Sequence, residues 1–128
     1  MFIENHDSFS WNVIDALPFD RQEIRVLSAA EVRSRSSELE SCDLVVMGPG
    51  PMDPERAGLV ELVRDIASRR LPFIGVCLGH QALGLAFGAE LIRSTPTHGK
   101  RAIARFDDGR VLEVMRYHSL SLSGVRAP

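Results

Sequence analysis

The 128-residue sequence contains two cysteines, too few for a disulfide framework and suited to a reducing compartment. Neither belongs to a C-x-x-C pair, the usual signature of a thiolate metal site. No apolar run approaches the ~20 residues that cross a bilayer, and the opening MFIENHDSFS lacks the basic start of a secretory signal. An excess of positive charge is also missing, with 15 Lys and Arg against 17 Asp and Glu and a net charge of −2. That balance gives no basic field for nucleic acid and no polybasic patch for a membrane surface. Repeats and low-complexity linkers are absent too. Residues 1–128 therefore read as one domain, and 45% hydrophobic residues are enough to fill a single core. The expected setting is the cytoplasm.

What is present concentrates in residues 71–88, LPFIGVCLGHQALGLAFG. Apolar Pro72-Phe73-Ile74 leads into Gly75-Val76-Cys77-Leu78-Gly79, and His80-Gln81-Ala82-Leu83 opens a small-residue helix that Gly88 can cap. Gly-x-Cys-x-Gly has the spacing of a nucleophile elbow, with cysteine in place of serine. Glycines at 75 and 79 would let neighbouring backbone pass where a side chain would clash. Cys77 would stand at a helix N-terminus, where free N–H groups and the dipole favour thiolate, so its pKa is expected below that of a free thiol. The N–H of Leu78 is placed to bind an oxyanion. The plain alternative is a buried core cysteine. A metal pair of Cys77 and His80 would offer only two ligands.

The rest of the chain reads as alternating strands and helices. Met1-Phe2-Ile3 begins a strand, and Asp7 or Ser8 can cap a helix that buries Phe9, Val13, Ile14 and Leu17 before Pro18 stops it. Residues 23–27 form a second strand. The polar stretch 28–40 suits an exposed, poorly anchored helix with Val32 and Leu39 as its only large apolar residues, and 43–47 reads as a buried parallel strand. Gly48-Pro49-Gly50-Pro51-Met52-Asp53-Pro54 must be loop. Its prolines lack N–H groups and no Lys follows, which argues against a phosphate loop. A helix opens at Pro54-Glu55, with Leu59, Leu62, Val63, Ile66 and Ala67 on one face. Strands are expected at 89–92 and 102–106. Asp107-Asp108-Gly109 then turns into 111–114, and Thr97-His98-Gly99-Lys100 is read as a polar loop.

The segment GVCLGHQALGLAFG resembles the nucleophile segment of class I glutamine amidotransferases. Asn5-His6-Asp7-Ser8-Phe9-Ser10, Gly50-Pro51-Met52-Asp53-Pro54 and Arg116-Tyr117-His118-Ser119-Leu120 match the family in the same order. Within it the chain is most similar to the small subunits of anthranilate synthase and aminodeoxychorismate synthase. The resemblance implies a doubly wound, mainly parallel α/β layer of flavodoxin-like kind with an antiparallel hairpin extension. It implies Cys77 as nucleophile, Gly50 and Leu78 N–H groups as oxyanion donors, and Gly50, Met52, Gln81, Ser119 and Leu120 around L-glutamine. It implies no metal or organic cofactor, and a chorismate-using synthase subunit as the recipient of ammonia.

The family's late His-x-Glu segment has no counterpart in these 128 residues, so the domain is expected to be incomplete at its C-terminus. His6, His80, His98 and His118 match family positions outside the triad. Two rival functions remain at this point. One is a non-catalytic binding or regulatory domain of the same fold, and the other is an unrelated thiol hydrolase on the same elbow.

Overall fold

The computed structural model describes residues 1–124, and for 96–98 and 117–118 the backbone alone. Four strands, β1 (Phe2–Glu4), β2 (Val26–Ser28), β3 (Val45–Met47) and β4 (Phe73–Gly75), form a parallel sheet in the order β2-β1-β3-β4. Helices α1 (Ser10–Ala16), α2 (Ala29–Ser34), α3 (Leu59–Ser68) and α4 (Leu78–Ala86) cover the two faces. Strands β5 (Glu90–Arg105) and β6 (Val111–Ser123) pair only with each other, as an antiparallel hairpin. The doubly wound parallel layer with an antiparallel extension is the architecture read from the sequence.

Strand alternation divides the core. Phe2 and Val46 point to the α1 side and pack on Ile14. Ile3, Val45 and Met47 point to the other side, where Leu59, Leu62, Val63 and Ile66 of α3 and Leu78 and Ala82 of α4 meet them. The apolar stripe of α3 is thus buried as its period requires. The helix itself starts at Leu59 rather than at Pro54, because residues 54–57 form turns and Gly58 enters at φ 66°.

Three local readings change. Phe9 is 59% exposed instead of buried, because Asp7 Oδ1 accepts the Phe9 N–H in a turn that ends before the helix begins. The 28–40 stretch is better anchored than its composition suggests. Ser28 and Glu31 form a reciprocal capping box at α2, and Val32 and Leu39 are wholly buried. Residues 97–100 lie within β5 and not in a loop. Register shifts between Arg93 and Thr97 and between His98 and Lys100, with Gly99 at φ 65°, absorb the irregularity inside the ladder. The expected turn is present, where Phe106 N–H donates to Arg110 O at 2.9 Å and Gly109 takes φ 85°.

Candidate active site

Two residues, Val76 and Cys77, separate β4 from α4. The sheet ladder runs one residue past β4, with Val76 N–H donating to Met47 O at 2.9 Å. Cys77 then turns at φ 52°, ψ −105°. Such backbone costs about 1–3 kcal/mol and persists only where the surroundings hold it. Helix α4 closes at once, through Gly79 N–H to Val76 O and Gln81 N–H to Cys77 O, both 3.0 Å. A Cβ on Gly75 would stand 2.5 Å from the carbonyl carbon of Gly79, and a Cβ on Gly79 would stand 2.3 Å from Met47 O. Backbone cannot step aside, so both positions require glycine. The elbow expected from Gly-x-Cys-x-Gly is formed.

The charge state of its cysteine differs from expectation. Cys77 is exposed as a residue, yet its thiol is partly desolvated, and this burial raises it above its ordinary pKa. The backbone N–H of Leu78 bonds toward the sulfur and offsets part of the rise, while the Asp7 carboxylate adds to it. The helix N-terminus therefore acts in the expected direction and is outweighed by two effects that sequence spacing does not reveal.

The loop after β3 reaches the elbow through Gly50. A Cβ there would lie 2.6 Å from Leu78 Cδ2 and 2.8 Å from Asn5 Cβ. Asn5 is buried and donates from Nδ2 to Gly48 O at 3.1 Å, which ties the β1 and β3 loops together. This residue had no role assigned from sequence. A buried amide straight after an apolar strand was the available signal. Gln81 sits half-buried in the first turn of α4. Met52 is exposed and lines a cavity of about 240 Å³ with Asn5, His6 and Leu78, but Cys77 is not part of that lining.

Gly50, Leu78, Gln81 and Cys77 are thus drawn together, with Met52 to one side. Ser119 and Leu120 lie on β6, Leu120 opposite Arg93, and the hairpin meets α4 where Leu122 lies over Gly84. His98 and His118 occupy β5 and β6, and their side chains lie outside the described residues. Among the described residues no group of three His, Cys, Asp or Glu side chains is arranged to hold a metal ion.

A parallel α/β layer that presents cysteine on a strained strand-to-helix turn has the form of a nucleophile elbow. The chain belongs to the class I glutamine amidotransferase family, whose sequence model, described as "Glutamine amidotransferase class-I", matches residues 1–127. It is 35% identical over 128 residues to anthranilate synthase component 2 of Pseudomonas aeruginosa, covering 94% of this chain and 64% of that one. It is 39% identical over 144 residues to aminodeoxychorismate synthase component 2 of Serratia marcescens, covering all of this chain and 71% of that protein. The chain therefore spans about two thirds of the length of these relatives. A solved glutamine amidotransferase from Thermotoga maritima shares the fold at a TM-score of 0.74 and 20% identity, over 98% of this chain and 62% of that one.

Proposed function

We propose that the chain is a glutamine amidotransferase component that releases ammonia from L-glutamine and passes it to a chorismate-using synthase subunit in a cytoplasmic hetero-oligomer. Residues 1–128 act as one domain in this reading. The observation that carries it is Cys77 held at φ 52° between two glycines that cannot be replaced, a strained backbone with no purpose in a core cysteine.

The chemistry is acyl transfer. The Cys77 sulfur attacks the side-chain carbonyl carbon of glutamine, and the Leu78 and Gly50 N–H groups hold the oxygen as it becomes an oxyanion. The C–N bond then breaks, and the departing nitrogen takes the proton given up by the thiol and leaves as ammonia. Water hydrolyses the thioester, which yields glutamate and restores the thiol. Gln81, Met52, Ser119 and Leu120 shape the glutamine site, and this chemistry requires no metal or organic cofactor. Names of relatives support the recipient, since both are second components of synthases.

The test is covalent. A glutamine-mimicking electrophile should attach at Cys77, and glutamine-dependent product formation with a chorismate-using synthase subunit should be lost in Cys77→Ser. Attachment elsewhere, or a synthase indifferent to the substitution, would refute the reading. The raised thiol pKa favours a second one, a binding or regulatory domain without turnover. In that case the chain would support its partner equally well with serine at 77.

A further inference from the structure

Strands β1 and β3 lie side by side and parallel, and alternate residues of β3 donate across to β1. Val46 N–H donates to Met1 O and Gly48 N–H to Ile3 O, each at 2.9 Å. The next rung of this ladder would carry the Gly50 N–H to Asn5 O. That rung is not made, and among the described residues the Gly50 N–H donates to no acceptor. Gly50 is close to Asn5 all the same, since the place of a Gly50 Cβ is 3.0 Å from Asn5 O. Where the ladder stops, the side chain of Asn5 takes over. Its Nδ2 donates to Gly48 O at 3.1 Å, and both residues are buried.

Gly48 is thus held at both ends, by Ile3 through its N–H and by Asn5 through its carbonyl. Pro49 follows, and its ring fixes φ near about −65°. Between the pinned Gly48 carbonyl and the planar peptide that carries the Gly50 N–H, only ψ of Pro49 is left to turn. The close fit of Gly50 against Asn5 Cβ and Leu78 Cδ2 restricts that torsion in turn. The far end of the loop has separate anchors. Asp53 Oδ1 accepts the N–H groups of Glu55 and Arg56, and Arg33 donates to Ala57 O and Gly58 O. Those bonds come after Pro51, so Asn5 is the side chain that fixes the near end.

We propose that Asn5 is the positioning residue of the oxyanion donor Gly50: its amide ends the β1–β3 ladder at Gly48 and holds the freed Gly50 N–H toward the elbow. The inference deepens the reading of Cys77 as nucleophile and rests on it. An N–H already held in place needs no reorganisation when charge develops on the substrate oxygen. Asparagine suits the task because the Gly48 carbonyl needs a donor. An aspartate of the same shape would offer it only oxygen.

Two reagents separate this role from a merely structural one. A chloroketone analogue of glutamine develops an oxyanion when the Cys77 sulfur adds to its carbonyl, whereas iodoacetamide reacts at a saturated carbon and develops none. Asn5→Ala keeps the Cβ against which Gly50 rests and deletes the amide. Its saturating rate of chloroketone labelling should fall about tenfold, part of the 10²–10³ that a whole lost donor costs. Half-saturation and the iodoacetamide rate should stay near those of the parent. Asn5→Asp, matched in size, should fall at least as far. Ile66→Val, a buried change in α3, should lower the denaturant midpoint and leave both labelling rates alone. NMR relaxation gives a readout that needs no reagent. The order parameter of the Gly50 N–H, about 0.85 for rigid backbone, should drop toward about 0.6 in Asn5→Ala while the amides of α4 keep theirs. Equal slowing with both reagents, no slowing with either, or an unchanged Gly50 order parameter would overturn the proposal. If Gly50 loosens as stated but the parent does not react with the chloroketone, the hold of Asn5 on the loop stands and the nucleophile reading falls.

Discussion

Gly79 and Met47 touch backbone to backbone, with 2.3 Å between the place of a Gly79 Cβ and the Met47 carbonyl oxygen. Helix α4 is therefore seated on strand β3 at the point where Cys77 turns. Gly79→Ala should lower the denaturant midpoint by the equivalent of about 1–3 kcal/mol, as overpacking of rigid neighbours does. Gly84→Ala is the control. There the obstruction is Leu122 Cδ1, at the end of a side chain that can rotate, and the loss should be smaller.

The raised thiol of Cys77 sets an alkaline limit to stability. The folded state holds this proton more tightly than the unfolded chain does, so the contribution is full below the unfolded thiol value, about 8.5. It is lost as pH rises through the higher folded value. Urea midpoints from pH 7 to 10 should fall for the parent and fall less for Cys77→Ser. An identical decline in both would mean that the sulfur is not desolvated.

The two cysteines should differ in their access to reagent. Cys42 is half-buried, with its Sγ 3.2 Å from Glu38 O and 3.3 Å from an Arg25 nitrogen. Cys77 is exposed, so mass spectrometry after brief iodoacetamide treatment at pH 7 should find it modified first. Its labelling should go on quickening above pH ~8.5, because the raised thiol yields thiolate only at more alkaline pH. Earlier modification of Cys42 would count against the exposed elbow.

Gly50 carries the test of the oxyanion loop. Valine at this position would press on Leu78 Cδ2 and Asn5 and push the loop from the elbow. Labelling of Cys77 by a glutamine-mimicking electrophile should slow on the order of 10²–10³, the cost of one lost oxyanion donor. Iodoacetamide labelling, which needs no oxyanion donor, should change little. Equal slowing with both reagents would point to a disturbed elbow instead.

Strand β4 is the last in the described sheet, and Ile74 on it is 46% exposed, with Phe87 also exposed at the end of α4. An open apolar edge favours pairing with another chain. The isolated protein should associate as its concentration rises, seen as growth in light-scattering mass. Ile74→Lys should reduce that growth. No dependence on concentration would remove the edge as an association site.

Much of this was legible in the sequence because it depends on near neighbours. The elbow follows from glycines two residues either side of Cys77, and α3 follows from the spacing of Leu59, Leu62, Val63 and Ile66. What depends on distant parts of the chain was not legible. The sign of the Cys77 shift comes from its burial and from Asp7, brought in by a different strand. Asn5 gains its role only when Gly48 and Gly50 arrive beside it. Val32 and Leu39 look too sparse to anchor their segment until the core closes over them. Thr97 to Lys100 read as loop because polar residues with a glycine resemble a turn, yet a long hairpin can carry such a stretch as a bulge.

The self-paired hairpin makes the backbone unequal in how long its amide protons survive in heavy water. Strands β5 and β6 bond to each other and meet the layer through α4, near Leu122 and Gly84. Amides beside the turn at Phe106 and Arg110 can be released by parting the hairpin from its tip, a local opening that leaves the parallel sheet closed. Those of Phe2, Val46 and Val76 bond across the sheet and exchange only when the whole layer opens. Isotope uptake should therefore run inward along the hairpin and stop at the end held by Leu122.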